Sequence, residues 1–429
     1  MIIPSIDLMG GQTVQLVGGR EHALDAGDPR PIAERFALAG DVAVVDLDAA
    51  IGTGSNAAAI REVLALAPCR VGGGLRDVAT AIRWLDAGAA KVVLGTAATP
   101  EVLRELPRDR VIAALDADGG EVVVKGWRER TGESIVDRMR RLEGLVGGFL
   151  VTFVEREGRL GGTNMELVPE LVRVAAAGGA RVTIAGGVTT ADDVGRLDEL
   201  GADAQVGMAL YTGRLDLADA IAAPLRSDRP DGLWPTVVVD EAGVALGLTY
   251  SSPQSLREAV RTRRGVYHSR RRGVWVKGET SGCTQELLRI DLDCDRDALR
   301  FTVRQSGEGF CHLGTATCWG HVRGLNALAG RIRGQAARNA AGSYSTRLLH
   351  SPDLLRAKLV EEAGELAEAS AKPDVVAEAA DLMYFTLVAM QRAGASLAEV
   401  AAELDRRALR VTRRPGDAKP TGTTGRACP

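Results

Sequence analysis

The chain has 429 residues, more than the roughly 250–300 that one hydrophobic core usually serves, so two or three domains are expected. With 45% apolar and 25% charged residues it has the composition of an ordinary folded protein. A net charge of −3 excludes nucleic-acid binding driven by bulk positive charge. No apolar run reaches the roughly 20 residues of a membrane span, and the expected location is the cytoplasm. Only 4% of residues are aromatic, against 51 glycines, which points to tight turns and backbone contacts with phosphate rather than stacking platforms.

From residue 1 to about 225, eight strand-like runs each precede a helix-length segment: IIPSID, VAVVDL, CRVGG, KVVLG, VIAALD, GGFLVTF, RVTIAGG and AQVGM. This alternation predicts a (β/α)8 barrel. Gly73-Gly74 is followed after thirteen residues by Gly88-Ala89, and Gly186-Gly187 after thirteen by Gly201-Ala202. Each copy then runs through a short strand to Gly95 or Gly207, so a barrel of two similar halves is the economical reading. Glycines at the C-terminal ends of barrel strands leave backbone N–H groups free for phosphate. Gly73, Gly74, Gly95 and Thr96 form one expected anion site, and Gly186, Gly187 and Gly207 the other, which suits a ligand with a phosphate at each end. Asp7 and Asp116 end the first and fifth strands, at the mouth where barrel chemistry is placed.

RSDRPDGLWP (226–235) breaks the alternation and reads as a linker. Residues 236–322 turn strand-rich and predict a small mixed or mostly β domain. Six cysteines are too few to staple so long a chain. Cys69, Cys283 and Cys428 are scattered, with Cys283 read as packing. Cys294, Cys311 and Cys318 cluster, with sixteen and then six residues between them. Three thiolates suit Zn²⁺ and leave a fourth position for water, whose pKa the ion would lower to roughly 7. In Asp293-Cys294-Asp295-Arg296-Asp297, strand alternation would put the aspartates on one face and Cys294 on the other. Three carboxylates so placed suit a hard cation, Mg²⁺. The alternative is a solvated acidic turn beside incidental thiols.

Gly and Arg dominate 324–342, a second expected linker. Residues 343–410 carry apolar side chains at three- and four-residue spacing and predict an all-α domain. Glu362 with Glu365, and Glu378 with Asp381, form acidic pairs on neighbouring helices. Four carboxylates converging between antiparallel helices are unfavourable without divalent metal, and Mg²⁺ also grips pyrophosphate. The alternative is a wet helix face; the second pair, running straight into apolar LMYFTLVAM, favours the metal. Residues 411–429, rich in Pro, Gly, Thr and charge, are expected to form a disordered tail.

These residues carry three resemblances. IPSIDL, VVDLDAA-IGTGSN, VGGGLR, GTAA, KGW and AGGV, over about 1–222, resemble the histidine-pathway isomerase that acts on bisphosphorylated formimino-AICAR ribonucleotide. That resemblance implies an Amadori rearrangement of an aminoaldose to an aminoketose, with Asp7 matching the family's base. Where the family has T-D-I-x-x-D-G-T this chain has Thr152 to Arg159, so the expected catalytic acid becomes Glu157, one methylene longer. Gln15 stands where an arginine usually helps hold phosphate.

WVKGETSG, DCDRD and GFCHLGTATC, over about 245–320, closely resemble phosphoribosyl-AMP cyclohydrolase. This implies Zn²⁺ on Cys294, Cys311 and Cys318, with ligands shared across a homodimer, and Mg²⁺ on Asp293, Asp295 and Asp297. It also implies that Trp275, Lys277, Glu279, Thr280 and Ser281 face the nucleotide, with His312 a candidate proton shuttle. SYSTRLL, Lys358 and the acidic pairs, over about 343–408, most resemble phosphoribosyl-ATP pyrophosphohydrolase. That implies Mg²⁺ on Glu362, Glu365, Glu378 and Asp381, with Lys358 at the substrate and water attack releasing pyrophosphate.

The three implied reactions are consecutive. The expected function is therefore a multifunctional histidine-biosynthesis enzyme working on small phosphoribosyl nucleotides, with no nucleic-acid or membrane partner. One alternative is a bifunctional hydrolase whose barrel, altered at Glu157 and Gln15, only binds ligand or organises the dimer. Another is a metal-dependent protein that hydrolyses ordinary nucleoside triphosphates.

Overall fold

Eight parallel strands close into a ring in the computed structural model, which describes residues 1–124, 126–127, 129–339, 342–413 and 416. In chain order they are Ile2–Met9, Val42–Asp46, Cys69–Gly72, Lys91–Leu94, Val111–Asp118, Gly148–Phe153, Arg181–Ala185 and Ala202–Val206. The eighth pairs with the first, and the fifth with the sixth. Each falls on one of the eight expected runs. These runs read as continuously apolar because helices cover one face and the barrel interior the other; Gly148–Phe153 is buried at every residue.

Two antiparallel hairpins, absent from the sequence reading, rise from the C-terminal ends of the first and fifth strands. One pairs Gln12–Val17 with Glu21–Gly27, the other Glu121–Val124 with Glu129–Ser134. They meet over the mouth, where Arg20 Nη2 donates to the carbonyls of Gly126 and Trp127, both at 3.3 Å.

The middle region is a four-stranded sheet, in the order Ala245–Ser251, Trp234–Val239, Leu299–Gln305, Gln285–Leu292. Beside it lie the hairpin Val266–Ser269/Gly273–Val276 and helix Pro253–Thr262. It shares one apolar core with the barrel: Leu38, Ile221, Trp234, Leu256 and Ile290 belong to a single buried cluster. Ion pairs Arg263–Glu34 and Arg257–Asp219, each 2.6 Å, cross the same junction. Residues 226–235 therefore connect the two units without separating them.

Two expectations are corrected. The run Asp293–Asp297 is not on a strand; it is the loop between Gln285–Leu292 and Leu299–Gln305, with Arg296 at φ +67°. The expected linker 324–342 begins with helix Gly324–Arg338. Its glycines lower helix propensity, but Ile332 is buried in a second core with Leu348, Leu355, Phe385 and Val388. Helices Tyr344–His350, Pro352–Glu368, Lys372–Ala393 and Leu397–Ala408 complete this unit. Of the expected tail, the Val411 and Thr412 amides donate to Asp86 Oδ1 at 2.8 and 3.0 Å, while 414–415 and 417–429 lie outside the described residues. No described helix is long and apolar enough to cross a membrane.

Candidate active sites

At the barrel mouth, Asp7 sits near the end of the first strand. Ser5 Oγ donates to its Oδ1 at 2.9 Å and Gln15 Nε2 to its Oδ2 at 3.5 Å. Burial pushes the Asp7 carboxyl up to about 6, against the pull of those two donors. Asp116, on the fifth strand, is also raised by burial, partly offset by hydrogen bonds from the Trp127 and Thr152 side chains. Glu157 follows the turn after the sixth strand. Burial, then the charges of Asp7 and Asp116, push it up to about 7. Three carboxylates thus share the mouth, and two of them hold their protons over different pH ranges. Such a pair can supply a base and an acid at once.

Gln15, which stands where the resemblance places a phosphate-holding arginine, is buried beside Asp7; its Nε2 donates to the Val14 carbonyl at 2.8 Å as well as to Asp7. The two glycine pairs form matching turns at the ends of the third and seventh strands. Gly73 and Gly186 have φ +89° and +85°, and a Cβ on either would come within 2.3 and 2.4 Å of the Asp46 and Phe153 carbonyl oxygens. Gly74 and Gly187 are equally constrained, at φ +70° and +83°. Gly95 and Gly207 follow the fourth and eighth strands, and Gly95 and Thr96 are exposed. Sequence reasoning missed Ser5, Thr152 and Trp127 as partners of the acids. Trp127, at φ +64°, lies so close over Gly19 that a Cβ there would be 2.5 Å from the ring. Its presence in KGW was the available signal.

In the middle unit, carboxylate oxygens of Asp293, Asp295 and Asp297 lie within 4.8 Å of one another. Asp293 Oδ1 accepts from the amides of Asp297 and Ala298 at 3.0 and 3.1 Å. A hydrogen bond with Asp293 and the charge of Asp295 raise the Asp297 carboxyl, the signature of like charges held together. This hard, crowded oxygen set fits Mg²⁺.

Cys311 and Cys318 are hydrogen-bonded to each other. The Leu313 amide leads in lowering the Cys311 thiol, while burial leads in raising Cys318. Two adjacent thiols suit a soft ion such as Zn²⁺. Cys294 stands apart, its Sγ 3.9 Å from Asp295 Oδ1; among the described residues no three thiols come within ligand distance of one another. His312 is exposed, its Nδ1 3.9 Å from Cys311 Sγ. Lys277 is buried, its ammonium 5.4 Å over the Phe310 ring, with no ion pair among the described residues. Trp275 is half-buried, and Glu279, Thr280 and Ser281 are exposed beyond it. Cys283, expected to be packing, is half-exposed and accepts from the Gly309 and Glu308 amides, which lower its thiol pKa.

In the helical unit the acidic pairs converge as the spacing implies. Glu362, buried, lies within 4.8 Å of Glu361 and Glu365 on one side and of Glu378 and Asp381 on the other. Burial, then the charges of its neighbours, raise Glu378. Lys358, implied by the resemblance to lie at the substrate, is paired with the carboxylates; its Nζ binds Glu362 at 2.6 Å and Glu361 at 2.8 Å. One ammonium offsets only part of this charge, so the carboxylates still fit a hard divalent cation.

Three family models match the chain in succession. Histidine biosynthesis protein covers residues 1–216, Phosphoribosyl-AMP cyclohydrolase 247–320 and Phosphoribosyl-ATP pyrophosphohydrolase 325–408. A histidine biosynthesis trifunctional protein of Komagataella pastoris is 50% identical over 207 residues, 48% of this chain and 25% of that protein. The histidine biosynthesis bifunctional protein his7 of Schizosaccharomyces pombe is 49% identical over 206 residues, 48% of this chain and 49% of its own length. A phosphoribosyl imidazole-4-carboxamide isomerase of Methanoregula boonei is 42% identical over 236 residues, 51% of this chain and 98% of that protein. The chain thus spans a quarter to a half of the first two and nearly all of the third.

Proposed function

The chain belongs to the histidine biosynthesis protein family, and from that premise we propose that it is a multifunctional enzyme of histidine biosynthesis. Its helical unit hydrolyses phosphoribosyl-ATP to phosphoribosyl-AMP and pyrophosphate. The middle unit opens the adenine ring of phosphoribosyl-AMP, and the barrel isomerises the resulting aminoaldose to an aminoketose. The observation that carries this reading over a bifunctional one is the convergence of Asp7, Asp116 and Glu157, with Glu157 raised to about 7. Asp7 takes the C2 proton, and Glu157, still partly protonated at neutral pH, assists opening of the sugar ring. The matching turns at Gly73-Gly74 and Gly186-Gly187 hold the two phosphates. The first hairpin holds the 154–158 turn in place, the Gly18 amide donating to the Glu157 carbonyl at 3.3 Å, and the longer side chain at position 157 lies near enough to Asp7 and Asp116 to feel both charges.

Asp293, Asp295 and Asp297, and separately Glu362, Glu365, Glu378 and Asp381, would hold Mg²⁺; Cys294, Cys311 and Cys318 would hold Zn²⁺, which supplies Lewis acidity for activating water. The separation of Cys294 from the other thiols supports a homodimer in which a second copy completes the zinc site. Lys277, buried and without a carboxylate partner among the described residues, suits a phosphate of the nucleotide, next to Trp275, Glu279, Thr280 and Ser281.

The test of the barrel is its pH profile on formimino-AICAR ribonucleotide. Asp7 works ionised, so kcat/KM falls as pH drops through about 6. Glu157 works protonated, so it falls again as pH rises through about 7. A bell centred between these values is expected, and an absence of turnover at every pH would reject the isomerase assignment. For the middle unit, Cys311→Ser should remove the bound zinc and ring opening while sparing pyrophosphate release. Metal analysis showing full zinc content would overturn the thiol set.

A further inference from the structure

Arg296 sits inside the acidic loop, yet its side chain leaves it. Its Nε and Nη2 donate to Asp198 Oδ2 and Oδ1 at 3.0 and 3.1 Å, and its Nη1 reaches back to the Asp293 carbonyl at 2.7 Å. The Arg296 carbonyl accepts from the Arg226 amide at 2.8 Å. With φ at +67°, this residue holds a backbone conformation that arginine rarely adopts, so the surrounding bonds must maintain it. Asp198 belongs to the barrel, in the last turn of helix Ala191–Glu199. It also accepts the Met1 ammonium at 2.9 Å, which extends to buried Asp203 at 3.1 Å. The Arg296 and Asp198 side chains are only 22% and 13% exposed. A sheltered two-pronged guanidinium–carboxylate pair fixes orientation as well as distance. Asp198 precedes the eighth strand, so it lies at the end of the barrel opposite Asp7 and Asp116.

We propose that Asp198 is a positioning residue for the middle unit's metal loop: through Arg296, the barrel holds Asp293, Asp295 and Asp297 in the curl that gathers their carboxylates. Three like charges on one loop drive it open, against hydrogen bonds within the loop that all centre on Asp293: its Oδ1 accepts from the Asp297 and Ala298 amides, and its own amide donates to the Ala298 carbonyl at 3.2 Å. The clamp supplies an anchor outside the loop, on a rigid helix that starts with a capping box at Thr190 and Asp193. Ring opening then depends on the presence of the barrel, though not on the barrel's own chemistry. This inference rests on reading the loop as a cation site.

The test uses the full chain with Asp198→Ala and, separately, Arg296→Gly; glycine adopts the left-handed backbone freely, so it removes the clamp without adding strain. Mn²⁺ serves as the spectroscopic probe by electron paramagnetic resonance, with Asp293→Asn defining the signal that belongs to the loop. In both clamp variants we expect loop Mn²⁺ binding about tenfold weaker and faster hydrogen exchange of the Asp297 and Ala298 amides in metal-free protein. Ring opening should regain its rate at excess Mg²⁺, pyrophosphate release should be unchanged, and Asp198→Glu should restore binding. Wild-type Mn²⁺ affinity, or unchanged amide exchange, in both clamp variants would reduce Asp198–Arg296 to an ordinary inter-unit ion pair and overturn the proposal. Asp293→Asn with an undiminished Mn²⁺ signal would instead defeat the metal reading of the loop itself.

Discussion

Asp7→Asn should lower isomerisation by about a thousandfold, within the range expected for loss of a general base, and leave both hydrolytic reactions at wild-type rates. The substitution keeps shape and can keep the contact from Ser5 Oγ, which now lies 2.9 Å from Oδ1. It removes the negative charge and with it the capacity to accept a proton. The same change should make the barrel more stable. An acid whose folded pKa is raised binds its proton more tightly in the native state, so ionising it destabilises the fold. That penalty grows as pH rises from the ordinary value of 3.8 to the folded value of about 6, and is fully present above it. A gap of this size corresponds to at most about 3 kcal/mol. Asparagine escapes it, so a higher unfolding temperature at pH 7 should accompany the lost activity. Lost activity with lower stability would mean that Asp7 is structural. This opposition of stability and function is what a desolvated carboxylate kept for its basicity produces.

Glu362→Gln should cost the pyrophosphohydrolase at least about a hundredfold, by analogy with loss of one preorganised electrostatic partner. Glu362 is shared by both carboxylate groups and is the most buried of them. The amide keeps the size of the side chain but cannot serve as a charged ligand. It also frees Lys358 from its 2.6 Å contact, leaving Glu361 as its partner. Pyrophosphate release measured against Mg²⁺ concentration should therefore show a lower maximum and a higher Mg²⁺ requirement. Ring opening and isomerisation should not change. Activity within about threefold of wild type at low Mg²⁺ would contradict the cage.

Much of this was legible in the residues. The eight barrel strands declared themselves because a strand covered on both faces is written as an unbroken apolar run. The helical carboxylates did so because three- and four-residue spacing fixes their common face whatever the surroundings. The repeat at Gly73-Gly74 and Gly186-Gly187 survived as two turns with nearly the same φ values. What failed depended on backbone geometry that side-chain identity does not announce. The carboxylates of 293–297 do come together, but through a loop turned by a left-handed Arg296, not through strand alternation. Helix Gly324–Arg338 was hidden by glycines that its packing around Ile332 overrides. The partners of the barrel acids, Ser5, Thr152 and Trp127, carry no charge pattern and become visible only once three strands and a hairpin are brought together. Nor does any local signal reveal that the barrel and the middle sheet share one core, since those contacts join residues far apart in the chain.

The most direct measurement supplies the intact protein with phosphoribosyl-ATP, Mg²⁺ and Zn²⁺ and separates the products. We expect one pyrophosphate per substrate consumed and accumulation of the aminoketose. Accumulation of the ring-opened aminoaldose, with pyrophosphate released but no aminoketose formed, would contradict an active barrel and leave a bifunctional hydrolase.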